Sequence, residues 1–384
     1  MKKLSEIIII AFAALAIFTV CITSFLLPKE KFSLFENRAM AVAPLINKND
    51  LLSGNYFKSW DNYLNDHVAF RESMLKINTA LQVDVLKKPV VFDTVIAGDT
   101  LLPFMGYPKI DYAALSGKID SMVQEISTLN GVIEGYGGRM LYVGIPEQRS
   151  VFRERYPRYM DDDSARLNFV QDEFFAGLTS ANVPSLDMAP VFKESGGDGQ
   201  FSKIDHHFTF LGAYDTYKAI TAKLSLTPAQ IEIKSLPNPY YGSRNRKLYN
   251  TFKTDEKLQV GYPKERVDFT RVDNGVVTKA DNFKIPKNEH DPVTYTVYMG
   301  GDVAETVIKT GRHELPNMLI FGDSFTNPLE SMLYLNCNEM RSIDLRHYKD
   351  MTITEYIKKY KPDIVIYVRD DSSYYLTGGN GTLR

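Results

Sequence analysis

Twenty-one consecutive residues without a charge, Ile7 to Leu27, constrain this chain more than any other feature. Only Thr19, Thr23 and Ser24 carry hydroxyls within that run. Wound as a helix at ~1.5 Å per residue it is ~31 Å long, the thickness of a bilayer's hydrocarbon core. A soluble core helix of this kind would need apolar partners on every side. A cleaved signal peptide has a shorter apolar region and a small-x-small site, whereas this run ends on Ser24-Phe25-Leu26-Leu27. Cys21 follows Val20, not the small residue a lipidation site uses. The run therefore reads as a retained single-pass anchor, with the lipid bilayer as partner of residues 7–27. Lys2 and Lys3 keep the short tip in the cytoplasm, and everything after about residue 28 lies outside.

Beyond the anchor the chain is an ordinary globular sequence. Of 384 residues 44% are apolar and 24% charged, which excludes a disordered, collagenous or many-spanning protein. Lys plus Arg number 45 against 47 for Asp plus Glu, and no basic stripe occurs, so nucleic acid is not a partner. Cys21 and Cys337 are the only cysteines, one in the span and one near the far end, so an exported domain here relies on its core and not on disulfides. No CxxC or Cys/His ligand spacing points to structural zinc. Cys337 follows Met332-Leu333-Tyr334-Leu335 and reads as packed.

Three regions follow from patterning: residues 1–31 as cytoplasmic tip and anchor, 32–110 as a juxtamembrane connector and helical segment, and 111–384 as an α/β domain. In the second, Phe57, Trp60, Tyr63, Leu64, Met74, Leu75, Ile77 and Leu81 have helical spacing and read as core packing. In the third, an amphipathic helix (Leu115, Ile119, Met122, Val123, Ile126, Leu129) precedes the short apolar run Met140–Ile145. Further helices are expected over 165–178, 329–335 and 353–360, and strands at 185–188, 318–321, 343–345 and 364–367. Buried strands alternating with amphipathic helices imply a parallel sheet covered on both faces. Residues 236–310 break the alternation and predict an antiparallel β-rich insertion.

Two stretches could carry chemistry. Asp205-His206-His207-Phe208-Thr209 precedes a helical segment, and Gly322-Asp323-Ser324-Phe325 directly follows the 318–321 strand. In open parallel sheets ligands bind beyond the carboxyl ends of the strands, where Ser324 is expected. A serine hydroxyl attacks an acyl carbon only when an imidazole takes its proton, and the imidazole needs a carboxylate to fix its tautomer. Ser324, His207 and Asp205 supply those three parts. Asp323 reads as a helix cap and His206 as a neighbour contact. Glu147-Gln148-Arg149, after the Met140–Ile145 strand, faces the same rim and could touch sugar hydroxyls. Asp161-Asp162-Asp163 lacks the spacing of a calcium loop and reads as a solvated helix start.

The Gly322-Asp323-Ser324 turn resembles the nucleophile block of SGNH hydrolases, and Asp205-x-His207 resembles their triad block, in reversed order. That order is similar to the alginate O-acetyltransferase group and to the bacterial DHHW family, whose name-giving motif stands here as Asp205-His206-His207-Phe208. Glu36-Asn37-Arg38, Asn65 to Arg71, Gly300-Gly301-Asp302 and Ile343-Asp344-Leu345-Arg346 also resemble that family, so the likeness spans about residues 33–370. The resemblance implies an SGNH-hydrolase-like α/β fold and an O-acetyltransferase or esterase acting on a cell-surface polysaccharide. It further implies Ser324 as nucleophile, His207 as base, Asp205 as the orienting acid, and a separate polytopic membrane acyltransferase as acyl donor. Oxyanion donors would be the Ser324 backbone N–H and, second, Gly300-Gly301.

No metal or other cofactor is expected. Two other readings stand beside the enzyme: a non-catalytic glycan-binding or assembly protein that keeps the fold, and a metal-dependent hydrolase using Asp205, His206 and His207.

Overall fold

Apolar residues at every position, not at every second one, mark the central strands, and such strands are stable only where both faces are covered. In the computed structural model, which describes residues 2–106 and 109–383, eight strands form one mixed sheet. They are β1 (Arg139–Ile145), β2 (Ser185–Asp187), β3 (Thr270–Asp273), β4 (Val276–Thr278), β5 (Glu305–Lys309), β6 (Met318–Gly322), β7 (Glu339–Ile343) and β8 (Ile364–Asp370). The spatial order is β4-β3-β5-β7-β6-β8-β1-β2. From β7 to β2 every pairing is parallel, whereas β4, β3 and β5 continue the sheet antiparallel beyond β7.

One face of that sheet carries Met140, Tyr142, Leu319, Phe321, Val365 and Tyr367, alternate residues of β1, β6 and β8 packed in a single apolar core. Helix Tyr112–Glu134 lays Ile119, Met122, Ile126, Leu129 and Ile133 on this face beside Ser164–Ser180 and Ile353–Tyr360. The first of these helices starts where the Asp111 carboxylate accepts the Ala114 N–H at 3.0 Å. The last starts with a capping box between Thr352 and Glu355. The residues of opposite parity, Leu141, Val143, Ile320, Ile366 and Val368, are equally buried, so the second face is covered too.

The expected β-rich insertion is sparser than its composition suggests. Its strands join the edge of the main sheet or, like Gln259–Pro263, pair antiparallel with Ile231–Ser235 just before the insertion, and the alternating Tyr295–Val297 is a 3₁₀ turn, not a strand. The strand expected at 343–345 runs instead from 339 to 343, which leaves Asp344 and Leu345 beyond its end.

The chain divides into two compact units, residues 1–92 with 245–253, and 93–244 with 254–384. The first begins with the helix Lys2–Leu26, whose stretch Leu4–Leu26 is long and apolar enough to cross a membrane. It continues through helices Lys48–Ser53, Asn55–Asp66 and Arg71–Ala80. These do not form the core their spacing predicted. Phe57, Leu64, Met74, Ile77 and Leu81 are all exposed, because a unit with so few elements has no second layer to cover them.

Candidate functional site

Ser324 lies at the carboxyl end of β6, two residues past Gly322. A Cβ on Gly322 would stand 1.8 Å from the Val368 carbonyl oxygen of β8, so only glycine lets the chain leave the sheet this tightly. Asp323 does not cap the next helix as expected. Its N–H donates to that same carbonyl at 3.1 Å, and its carboxylate accepts from Arg369 Nε (2.9 Å), Ser373 Oγ (2.7 Å) and the Asp370 N–H (3.2 Å). Burial opposes ionisation of Asp323, but the Arg369 guanidinium and the Ser373 hydroxyl hold its carboxyl below the usual range. Asp370, buried against that charge, is pushed well up. The serine turn is thus clamped to the strand beside it.

The Asp205 loop closes on itself before entering a helix. The Ser202 N–H donates to His207 O, the Thr209 N–H donates to Gln200 O, and the Thr209 hydroxyl caps Phe210–Lys223. Inside the loop, His207 Nδ1 is 2.7 Å from Asp205 Oδ1, and His207 Nε2 is 2.6 Å from Ser324 Oγ. Asp205 is 1% exposed and His207 5%, while Ser324 is half-buried. Burial disfavours the Asp205 carboxylate, yet the His207 hydrogen bond, the nearby imidazoles and the Ser243 N–H (2.6 Å to Oδ2) hold its pKa well below the usual range. An ionised Asp205 requires the proton on His207 Nδ1, which leaves Nε2 to accept from the serine hydroxyl.

Several neighbours were not legible in the sequence. The Tyr295 ring stacks on His207 at 3.6 Å with 7° between planes, and Phe325 meets the imidazole edge-on at 5.1 Å. Phe208 in turn packs edge-on against Phe325 at 4.9 Å. His206 lies against His207 with its Nδ1 2.7 Å from Ser243 Oγ, as a neighbour contact. Within the Asp205-His206-His207 cluster, both carboxylate oxygens of Asp205, both ring nitrogens of His207 and Nδ1 of His206 are engaged in hydrogen bonds, the pattern of a relay.

Other expectations need correction. Gln148 is fully buried, its amide donating to Ser202 O at 2.8 Å and accepting from Arg244 Nε at 2.6 Å, so it braces the Asp205 loop instead of meeting solvent. Arg149 is 2% exposed and paired with Glu147 and Asp163, which accounts for the buried Asp163 that had read as solvated. That pairing also occupies Glu147, and the trio is not disposed to touch sugar hydroxyls. Gly301 lines one small polar cavity with Ser324, Asp302 and Asn327, but its N–H donates to Tyr298 O at 3.0 Å and is not free for an oxyanion. Gly300 faces the Lys284 side chain instead. Cys337 is packed as expected, its thiol pushed up to about 12 by burial.

Residues 109–283 match the family model of the SGNH hydrolase-like domain of the acetyltransferase AlgX. The α/β domain is SGNH hydrolase-like in fold. Among solved structures, Bacillus cereus PatB1 with a sulfonyl adduct is 19% identical over 76% of this chain and 98% of its own, with a TM-score of 0.62. A DHHW family protein from Eubacterium siraeum is 17% identical over 75% of this chain and 95% of its own, with a TM-score of 0.52. At such identities the likeness establishes the SGNH-like fold. No curated protein matches the sequence.

Proposed function

We propose that this chain is a membrane-anchored, extracytoplasmic serine O-acetyltransferase or esterase acting on a cell-surface polysaccharide. The observation that carries the reading is the continuous line Asp205–His207–Ser324, with both links at hydrogen-bond distance and the serine reachable from solvent. As Ser324 Oγ attacks an acyl carbonyl, its proton passes to His207 Nε2, and the imidazolium is stabilised by Asp205. The oxyanion is met by the Ser324 backbone N–H. Collapse expels the donor's oxygen, which takes the proton back from His207 and leaves acyl-Ser324. A sugar hydroxyl, or water, then gives its proton to His207 and attacks the ester, releasing Ser324.

The match of residues 109–283 to the SGNH hydrolase-like domain of the acetyltransferase AlgX supports acetyl transfer as the chemistry. An anchor at Leu4–Leu26 would hold the domain beside the glycans of the envelope. For a transfer reaction, a separate polytopic membrane protein would deliver the acetyl group to Ser324.

The test is turnover of a chromogenic acetyl ester by the full chain in detergent, with Ser324→Ala and His207→Ala. Loss of turnover with the fold retained supports the triad, and turnover equal to that of the unaltered chain refutes it.

A further inference from the structure

Helix Arg71–Ala80 and the π-helical turn Leu81–Val85 that prolongs it place Phe70, Met74, Ile77, Leu81 and Val85 four, three, four and four residues apart. That spacing draws one stripe along one side. All five side chains are exposed, Ile77 to 70% and Val85 to 67%. Leu75, Thr79, Gln82 and Val83 take the other, covered side. A contiguous exposed apolar stripe marks a surface that meets something apolar.

The identity of that surface follows from where the stripe begins. The Ala69 N–H donates to Ser24 Oγ at 2.7 Å, across 45 residues of sequence. Ser24 stands three residues before the end of the uncharged run, roughly one helical turn from its end at ~1.5 Å per residue. Leu27–Glu30 and Val68–Ser73 line one cleft, so the end of the apolar helix and the start of the stripe are neighbours within the same unit. A bilayer that encloses Leu4–Leu26 therefore ends at the level of Phe70. Lys76 at mid-stripe and Lys87 and Lys88 just past it are exposed, and such side chains reach lipid phosphates while their stems stay in the apolar layer.

We propose that the Phe70–Val85 stripe lies in the interfacial layer of the membrane that holds Leu4–Leu26, making the attachment a span plus an in-plane helix. The inference rests on the anchoring reading and not on the chemistry of Ser324. Trp60 is the sole tryptophan, so Trp60→Phe combined with Ile77→Trp puts a single reporter on the stripe. The full chain carrying both changes is reconstituted in vesicles of phosphatidylcholine and phosphatidylglycerol, and alkaline extraction tests whether Leu4–Leu26 is inserted. The expected result is blue-shifted emission, quenched about two-fold by brominated phosphatidylcholine and little by aqueous acrylamide. Insertion with emission quenched only by acrylamide overturns the proposal while leaving the anchor standing. Emission that is blue-shifted yet insensitive to bromolipid also overturns it, in favour of a second copy if the shift follows the protein-to-lipid ratio. Extraction of the chain from the vesicles refutes the anchor, and the in-plane helix with it. Should Ile77→Trp fail to fold, Leu81→Trp reads the same stripe.

Discussion

Helix Tyr112–Glu134 in the α/β unit and helix Asn55–Asp66 in the N-terminal unit repeat apolar residues at the same three- and four-residue intervals. The first buries Leu115, Ile119, Met122, Val123, Ile126, Leu129 and Ile133, and the second buries no residue at all. Periodicity reports which side of a helix is apolar. What lies against that side depends on whether strands elsewhere in the chain supply a second layer. For Tyr112–Glu134 the sheet does so, whereas no such layer covers helix Asn55–Asp66.

The largest effect expected from separating the two regions is catalytic. Replacing Asp205 by Asn keeps an acceptor for the Ser243 N–H but removes the charge that fixes the His207 tautomer. Ester turnover should fall on the order of 10³–10⁴-fold with the fold intact. Ile77→Ser, in the N-terminal unit, should leave turnover of a soluble ester unchanged. Steady-state kinetics of the two variants check this, and a comparable fall in both would erase the division of labour.

Charges repeat the contrast. Arg369 is 2% exposed, and its guanidinium joins Asp323, Ser373 and the Tyr367 hydroxyl beneath the serine turn. Arg369→Ala leaves the half-buried Asp323 carboxylate without its cation and should cost about 3 kcal/mol. Arg38 makes a closer pair with Asp66, at 2.6 Å, but its side chain is half-exposed, so Arg38→Ala should cost no more than about 1 kcal/mol. Urea denaturation followed by circular dichroism measures both.

Apolar truncation sharpens the same point. Ile126→Ala leaves a cavity under the sheet and should cost about 2–5 kcal/mol. Ile77→Ala in detergent removes a side chain that touches little protein and should stay within about 0.5 kcal/mol. Equal losses would mean that the Phe70–Val85 stripe is core after all.

The same division explains what the sequence made legible. The parallel strands were readable because burial on both faces makes them apolar throughout. Ser324, His207 and Asp205 were readable because serine, histidine and aspartate at strand and helix ends have few other uses in combination. The supporting side chains were not. Gln148 and Arg149 look like solvent-facing polar residues until Ser202, Arg244 and Asp163 arrive from elsewhere to satisfy them. Tyr295 looked like a strand residue, and only the folded chain brings its ring over His207. Local patterns encode local partners, and the groups that hold the relay in place lie 38 to 117 residues apart in sequence.

The last contrast concerns pH, and its sign differs between the regions. Glu330, fully buried beside the cavity that Ser324 borders, is pushed up to about 7 by burial, from 4.5. Between those values the folded chain binds a proton that the unfolded chain has lost, so the Glu330 contribution to stability is full below pH 4.5 and disappears as pH rises through 7. Glu330→Gln should remove that share, flattening the fall in stability between pH 5 and 8 and gaining up to about 3 kcal/mol at pH 8. Glu256, raised to about 7, and Asp371, raised to about 6, both chiefly by burial, keep the remaining slope. Asp66 in the N-terminal unit runs the other way. The Arg38 hydrogen bond lowers it to about 2, so its contribution is fully present above pH 4 and fades only in stronger acid. Asp66→Asn should therefore shift the urea midpoint by one small, constant amount from pH 5 to 8, while Glu330→Gln changes the slope. Parallel curves for the two variants would show that Glu330 is ionised in the fold at neutral pH, and that the cavity beside Ser324 is wetter than its burial implies.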